Sequence, residues 1–166
     1  MIFNLYEKLD CPEEVIKHCQ VVENRALTLA QKFPSQVDLE LIKTGALLHD
    51  VGRCQSNNIH HAIVGAQILK KFEYSSDVAK IVERHIGAGI PPKEAIELGL
   101  PPKDYTPQTL EEKIVAHADN LVHNQQEVGL YFVLRKWKKR LGPQHPSLER
   151  LKKLHQEVAG SDFLLG

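Results

Sequence analysis

From Val15 to Val158 the apolar residues return every third or fourth position, and no stretch alternates apolar with polar between turn residues. That period lays them along one face of successive helices and leaves no segment suited to a half-buried sheet. The chain is therefore expected to be all-α, a bundle of about seven or eight helices. A helix capped by Asp10, with Pro12 in its first turn, carries Val15, Cys19, Val22, Ala26 and Leu29 and ends before Pro34, with His18 at the edge of that face. A second, capped near Asp38, carries Ile42, Ala46 and Leu47 and stops at Gly52, so His49 and Asp50 fall in its last turn. A third spans about 60–72, and a fourth runs from Ser75 or Ser76 to His85. Thr109 and Glu112 form a capping box that opens a helix through Ile114, Ala118, Asp119 and Val122. A helix through Val128, Phe132 and Trp137 ends at Gly142, and the last covers 146–158.

Residues 87–108 break this pattern, because Gly87, Gly89, Gly99 and the pairs Pro91-Pro92 and Pro101-Pro102 interrupt regular structure around one short helix near Lys93–Leu98. The segment reads as a lid or long functional loop. A length of 166 residues suits one domain over 1–166, with a motif core at about 15–122 and C-terminal helices at 125–160 packed on it. Acidic and basic side chains number 21 each, so no whole-molecule field draws the chain to nucleic acid or an acidic membrane. No segment approaches the ~18 apolar residues of a membrane span, and no leader precedes the first acids, so a cytoplasmic protein is expected. The three cysteines, Cys11, Cys19 and Cys54, form no C-x-x-C pair. They are read as small hydrophobes in a reducing compartment, neither a disulfide framework nor a thiolate zinc site.

The chemistry concentrates in Ala46–Arg53, where His49 and Asp50 follow an apolar helical run and precede a glycine. An aspartate at a helix C-terminus has the wrong sign for the dipole there. A nearby cation removes the conflict, and imidazole with carboxylate is a good ligand pair for a divalent ion. Asp50 is then the natural bridge between two ions. His18, His61 and His85 sit on helices among apolar neighbours, and Asp119 lies on a helix that otherwise faces inward. A carboxylate on such a face needs a partner, because an unpaired buried charge costs several kcal/mol. A divalent ion is one such partner; an arginine such as Arg25 or Arg84 is the other.

The ordered set His18, His49-Asp50, Asp119 resembles the H…HD…D signature of the HD superfamily of metal-dependent phosphohydrolases. His61–Leu69, HAIVGAQIL, and Val82–Ile90, VERHIGAGI, resemble the additional histidine elements of one subgroup, so the likeness spans about 15–122 and points to small stand-alone archaeal and bacterial members. It implies that His18, His49, Asp50 and Asp119 hold one metal, and that His61, His85 and the bridging Asp50 hold a second where two are present. His61 is preferred to His60 because Gly65 follows it at the family spacing. Ile86 stands where the cyclic-dinucleotide phosphodiesterase branch has a second consecutive histidine, and no G-Y-P follows.

The implied activity is hydrolysis of a phosphoester, of a nucleotide or related small phosphate compound, by metal-activated water with one or two divalent ions. Nitrogen and oxygen donors without sulfur suit Mn, Fe, Co, Ni or Mg. Asp50 and Arg53 are the expected catalytic residues. Arg53 would clamp phosphate, with Arg84 and Tyr105 also on the substrate. His117 and His123 flank Asp119, and His123 is weighed as a ligand partner, although a noncatalytic role is favoured for both. The cluster Arg135–Arg140 reads as a solvated face with Trp137 turned into the core rather than a nucleic-acid footprint, with reach to a nucleotide's phosphates as the alternative. A non-hydrolytic nucleotide- or partner-binding module, and a di-iron oxygenase on the same scaffold, are the rival readings.

Overall fold

The computed structural model describes residues 1–160. Among them are nine α-helices: α1 (Ile2–Lys8), α2 (Glu13–Ala30), α3 (Leu39–Leu48), α4 (His61–Lys71), α5 (Ser76–Glu83), α6 (Pro92–Glu97), α7 (Leu110–Asn120), α8 (Leu130–Leu141) and α9 (Ser147–Ala159). A 3-10 turn covers Val51–Cys54. The all-α expectation holds. One small exception is an antiparallel hairpin of β1 (Val122–His123) and β2 (Gln126–Glu127), turned by Asn124 and Gln125 at positive φ. Strands of two residues are too short to show an alternation.

Local signals set several helix starts. The side chains of Asp38, Ser75 and Thr109 accept the backbone N–H groups of Leu41, Val78 and Glu112, satisfying donors that a first turn leaves unpaired. Asp10 does not act this way. It has φ 50° in the turn between α1 and α2, and Pro12 takes the cap position. The reciprocal half of the Thr109 box is also displaced, since the Glu112 carboxylate accepts from the Gln108 N–H. Helix α1, not anticipated, is held by burial of Leu5 and Tyr6. The Tyr6 hydroxyl donates to the carbonyl of Leu47 at 2.5 Å.

Helix α3 serves two apolar cores. One gathers Val22 and Ala26 from α2, Ile42 and Ala46 from α3, Ile114 from α7, Val133 and Trp137 from α8 and Leu151 from α9. The other joins Leu5 and Tyr6 of α1 to Leu48, Leu69 and Val82. The C-terminal end of α3 therefore emerges at the seam between them. Residues 87–108 form a third cluster, in which Ile90, Ala95, Leu100 and Tyr105 pack on Ile59, Ile63 and Ile86. Ile90 and Tyr105 exchange backbone hydrogen bonds at 3.3 and 2.9 Å, so this segment is built on its own apolar anchor.

The cysteine expectation is corrected. Cys11 and Cys54 form a disulfide across 43 residues of sequence, and Cys19 is the buried free thiol. The α1–α2 turn comes to rest beside the 3-10 turn, a proximity no local spacing could announce. Among the described residues no helix is long and apolar enough to cross a membrane.

Candidate metal centre

Five segments deliver the polar cluster. His18 projects from α2, His49 and Asp50 follow the last residue of α3, His61 opens α4, His85 follows α5 by two positions, and Asp119 sits in the last turn of α7. Two glycines permit the approach. A Cβ at Gly52 would stand 1.8 Å from the carbonyl oxygen of His61, and one at Gly65 would stand 2.7 Å from Val82. The 3-10 turn thus lies backbone to backbone against α4, which brings Asp50 within reach of His61.

Asp50 divides its carboxylate between two groups. Its Oδ2 lies 3.5 Å from His18 Nε2 and 3.6 Å from His49 Nε2. Asp119 Oδ1 closes that group, at 2.9 Å from His18 Nε2 and 3.3 Å from His49 Nε2. The other oxygen of Asp50, Oδ1, lies 3.3 Å from both His61 Nε2 and His85 Nε2. Donor atoms about 2.1 Å from a shared ion stand roughly 3.0–3.4 Å apart, so both groups have the dimensions of a coordination sphere.

The imidazole tautomers make the same point. His49, His61 and His85 each place Nδ1 against a carbonyl three residues back, those of Ala46, Asn58 and Val82, at 2.7, 2.8 and 2.6 Å. A carbonyl only accepts, so Nδ1 carries a hydrogen, and each ring, once Nε2 gives up any proton, turns the Nε2 lone pair inward. Asp50 Oδ1 is buried without a hydrogen-bond partner. A buried oxygen facing inward lone pairs fits a bound cation, and the cluster is able to hold divalent metal.

Electrostatics agree. Burial alone would raise Asp50 and Asp119, yet the neighbouring imidazoles, His49 foremost, hold both well below the usual carboxylate range. Burial pushes His85 down. Burial acts on His49 in the same sense, but Cys19, Asp50 and Asp119 outweigh it and raise His49 well above the ordinary imidazole range. The site calls for positive charge between its two carboxylates.

A cleft of about 590 Å³ opens over this centre, with Arg53, His61, His85 and Asp119 among its lining residues. A smaller hollow of about 280 Å³ reaches His18, Asp50 and Asp119, with Arg53 lining it too. Arg53 Nε lies 3.0 Å from Asp50 Oδ2. Two expected substrate contacts are corrected. Arg84 directs its guanidinium to both oxygens of the buried Glu112, at 3.0 and 2.9 Å. Tyr105 is 4% exposed, and its hydroxyl donates to the Pro101 carbonyl, so no face is open to stack on a base. His60 turns to Asn58, leaving His61 in the cluster. His117 packs on His155 away from it, pushed down to about 3 by burial. His123 leaves the α7 face for the hairpin and meets Lys136 at 3.2 Å. The sequence reading missed Asn58, whose carbonyl orients His61, and it favoured a solvated face for the run that holds the cleft-lining Lys136 and Arg140. The spacing of four from Phe132 through Lys136 to Arg140 was the available signal.

The HD-domain family profile matches residues 15–124, the stretch that contains all six clustered side chains. The chain belongs to the HD-domain family. This HD protein is 50% identical over 151 residues to an uncharacterised protein of Methanocaldococcus jannaschii, covering 89% of each chain. It is 48% identical over 145 residues to the tRNA (cytidine(56)-2'-O)-methyltransferase of Picrophilus torridus. That match covers 87% of this chain and 41% of the methyltransferase, so the chain spans less than half of that relative's length. Its fold is similar to the crystal structure of the HD domain of the L. monocytogenes phosphodiesterase PgpH, with TM-score 0.56, 18% identity and coverage of 98% of both chains.

Proposed function

We propose that this HD protein is a metal-dependent phosphohydrolase that cleaves a phosphoester of a nucleotide or related small phosphate compound. The observation that carries the reading is the division of Asp50, one oxygen toward His18 and His49, the other toward His61 and His85. Asp119 completes the first set of donors. Divalent ions held by these residues would supply Lewis acidity toward phosphate oxygens and acidify water.

The chain's own residues do the rest. The carbonyls of Ala46, Asn58 and Val82 fix three imidazoles with Nε2 inward, so donor geometry is set before substrate arrives. Arg53 is anchored to Asp50 through Nε and leaves its remaining guanidinium N–H groups for a phosphate oxygen. The apolar residues Ile86, Ala88 and Ile90 line the cleft and limit water around the reacting group.

The names of similar proteins bear on the substrate. A second PgpH HD-domain crystal structure, TM-score 0.57 and 18% identity, holds cyclic-di-AMP, a nucleotide phosphodiester. The tRNA methyltransferase name belongs to a protein with more than half its length unmatched here, and it restores nucleic acid as a substrate class despite the balanced charge of this chain. The deciding experiment screens metal-loaded protein against nucleotides, dinucleotides and short RNA, with Asp50→Asn beside it. Hydrolysis product from at least one substrate with the parent chain, whether free phosphate or a phosphomonoester, and none with the variant is expected; equal product from both would end the proposal.

A further inference from the structure

The metal centre accounts for His61, His85 and Asp119 among the residues that line the cleft. The same cleft is lined by helix α8 through Phe132, Val133, Lys136, Trp137 and Arg140. The other two arginines on the cleft have carboxylate partners, since Arg53 pairs with Asp50 at 3.0 Å and Arg150 pairs with Glu94 at 2.6 Å. Lys136 and Arg140 differ. Among the described residues neither has an acidic partner, and Lys136 Nζ instead donates to His123 Nδ1 at 3.2 Å. The His123 ring packs on Phe132 at 4.9 Å between centroids, which orients that acceptor.

Basic residues near a helix C-terminus suit the dipole whichever way they point. That accounts for Lys138 and Lys139, which do not line the cleft. It does not account for placing Lys136 and Arg140 one turn apart on the cleft wall, where two cations at this spacing repel by a few tenths of a kcal/mol. An anion bridging them removes the repulsion, and a phosphate takes paired hydrogen bonds from a guanidinium. Phe132, Trp137 and Ile86 supply apolar surface in the same cleft. The volume of about 590 Å³ exceeds the needs of one phosphate.

We infer that Lys136 and Arg140 form a second anion subsite, which takes a non-reacting phosphate of a substrate that carries two phosphates on one nucleoside unit. This rests on the phosphohydrolase reading for the reacting end only. A nucleoside with a single phosphate would leave the α8 wall unmatched.

The test compares equilibrium binding of adenosine 3′,5′-bisphosphate and adenosine 5′-monophosphate to the intact, metal-loaded chain. The bisphosphate is expected to bind at least about tenfold tighter, consistent with one added charge-assisted contact. Lys136→Ala/Arg140→Ala should abolish that advantage, and Lys136→Gln/Arg140→Gln, which keeps most of the stems, should abolish it too. Arg135→Ala/Lys138→Ala, on the same helix but off the cleft, should preserve it. Equal affinities in the parent chain, an advantage that survives loss of Lys136 and Arg140, or one lost equally in the control pair would overturn the inference. Product formation by the parent chain in the screen of nucleotides, dinucleotides and short RNA tests the catalytic reading separately. Its absence alongside a bisphosphate advantage would sink the hydrolase and support the subsite.

Discussion

The Nε2 atoms of His61 and His85 face each other at 3.2 Å although both rings have their Nδ1 hydrogens donated to backbone carbonyls. Two neutral imidazoles in that arrangement present lone pair to lone pair, a contact that only a cation between them makes favourable. The same carboxylate oxygen, Asp50 Oδ1, lies 3.3 Å from each. Metal stoichiometry should follow these sets. The parent chain is expected to bind two divalent ions, His61→Ala one, and Asp50→Asn fewer than one. Hydrolysis should fall by about 100-fold or more in both, since changes even in groups that only orient ligands cost 10–100-fold. Elemental analysis after dialysis measures the ion count, and an unchanged count in Asp50→Asn would exclude the bridging role.

Ion uptake should also release protons. His49 is raised well above the ordinary imidazole range in the metal-free protein, so near neutral pH it carries a proton that a metal must displace. A raised pKa means the competing proton is held at low pH and lost as pH rises, so affinity should increase with pH through that window. Calorimetry in two buffers of different ionisation heat reads the effect. Identical heats in both would show that no proton leaves.

Arg53 is fixed at Nε by Asp50, which leaves a fork that a lysine cannot reproduce. Arg53→Lys is expected to raise KM about tenfold, the loss of roughly one charge-assisted contact. Steady-state kinetics on any phosphoester found in the screen would decide, and an unchanged KM would restrict Arg53 to balancing the charge of Asp50.

Arg84 holds the buried Glu112, which is 3% exposed. Arg84→Met leaves that carboxylate without its cation and should cost about 3 kcal/mol of folding stability. Metal content at saturating metal should not change. Urea unfolding provides the first number. A variant of parental stability but weakened substrate binding would return Arg84 to the cleft.

The Cys11–Cys54 disulfide closes a loop across 43 residues. Chain-entropy reasoning assigns such a crosslink about 3–4 kcal/mol. Cys54→Ser should lower the unfolding free energy by that order, and a reducing agent should do the same to the parent chain while leaving the variant unaffected. Identical unfolding curves with and without reductant would show that the bond adds no stability.

The amino-acid order alone determined the helical class and most helix boundaries, because period and capping depend on residues within one turn of each other. Asp38, Ser75 and Thr109 cap where their side chains lead a periodic run. The clustered residues were also legible as types and order, through His49-Asp50 and the histidine elements at His61 and His85. Tertiary packing decided everything that depends on distant segments meeting. It set the His18–Asp119 contact across 101 residues, joined Cys11 to Cys54, turned Arg84 onto Glu112 and buried Tyr105. It also divided the two oxygens of Asp50 and turned Lys136 and Arg140 toward the same cleft. A side chain's partner is chosen by which helix faces close on each other, and that choice minimises buried unpaired polarity over the whole core, so no short window of sequence contains it.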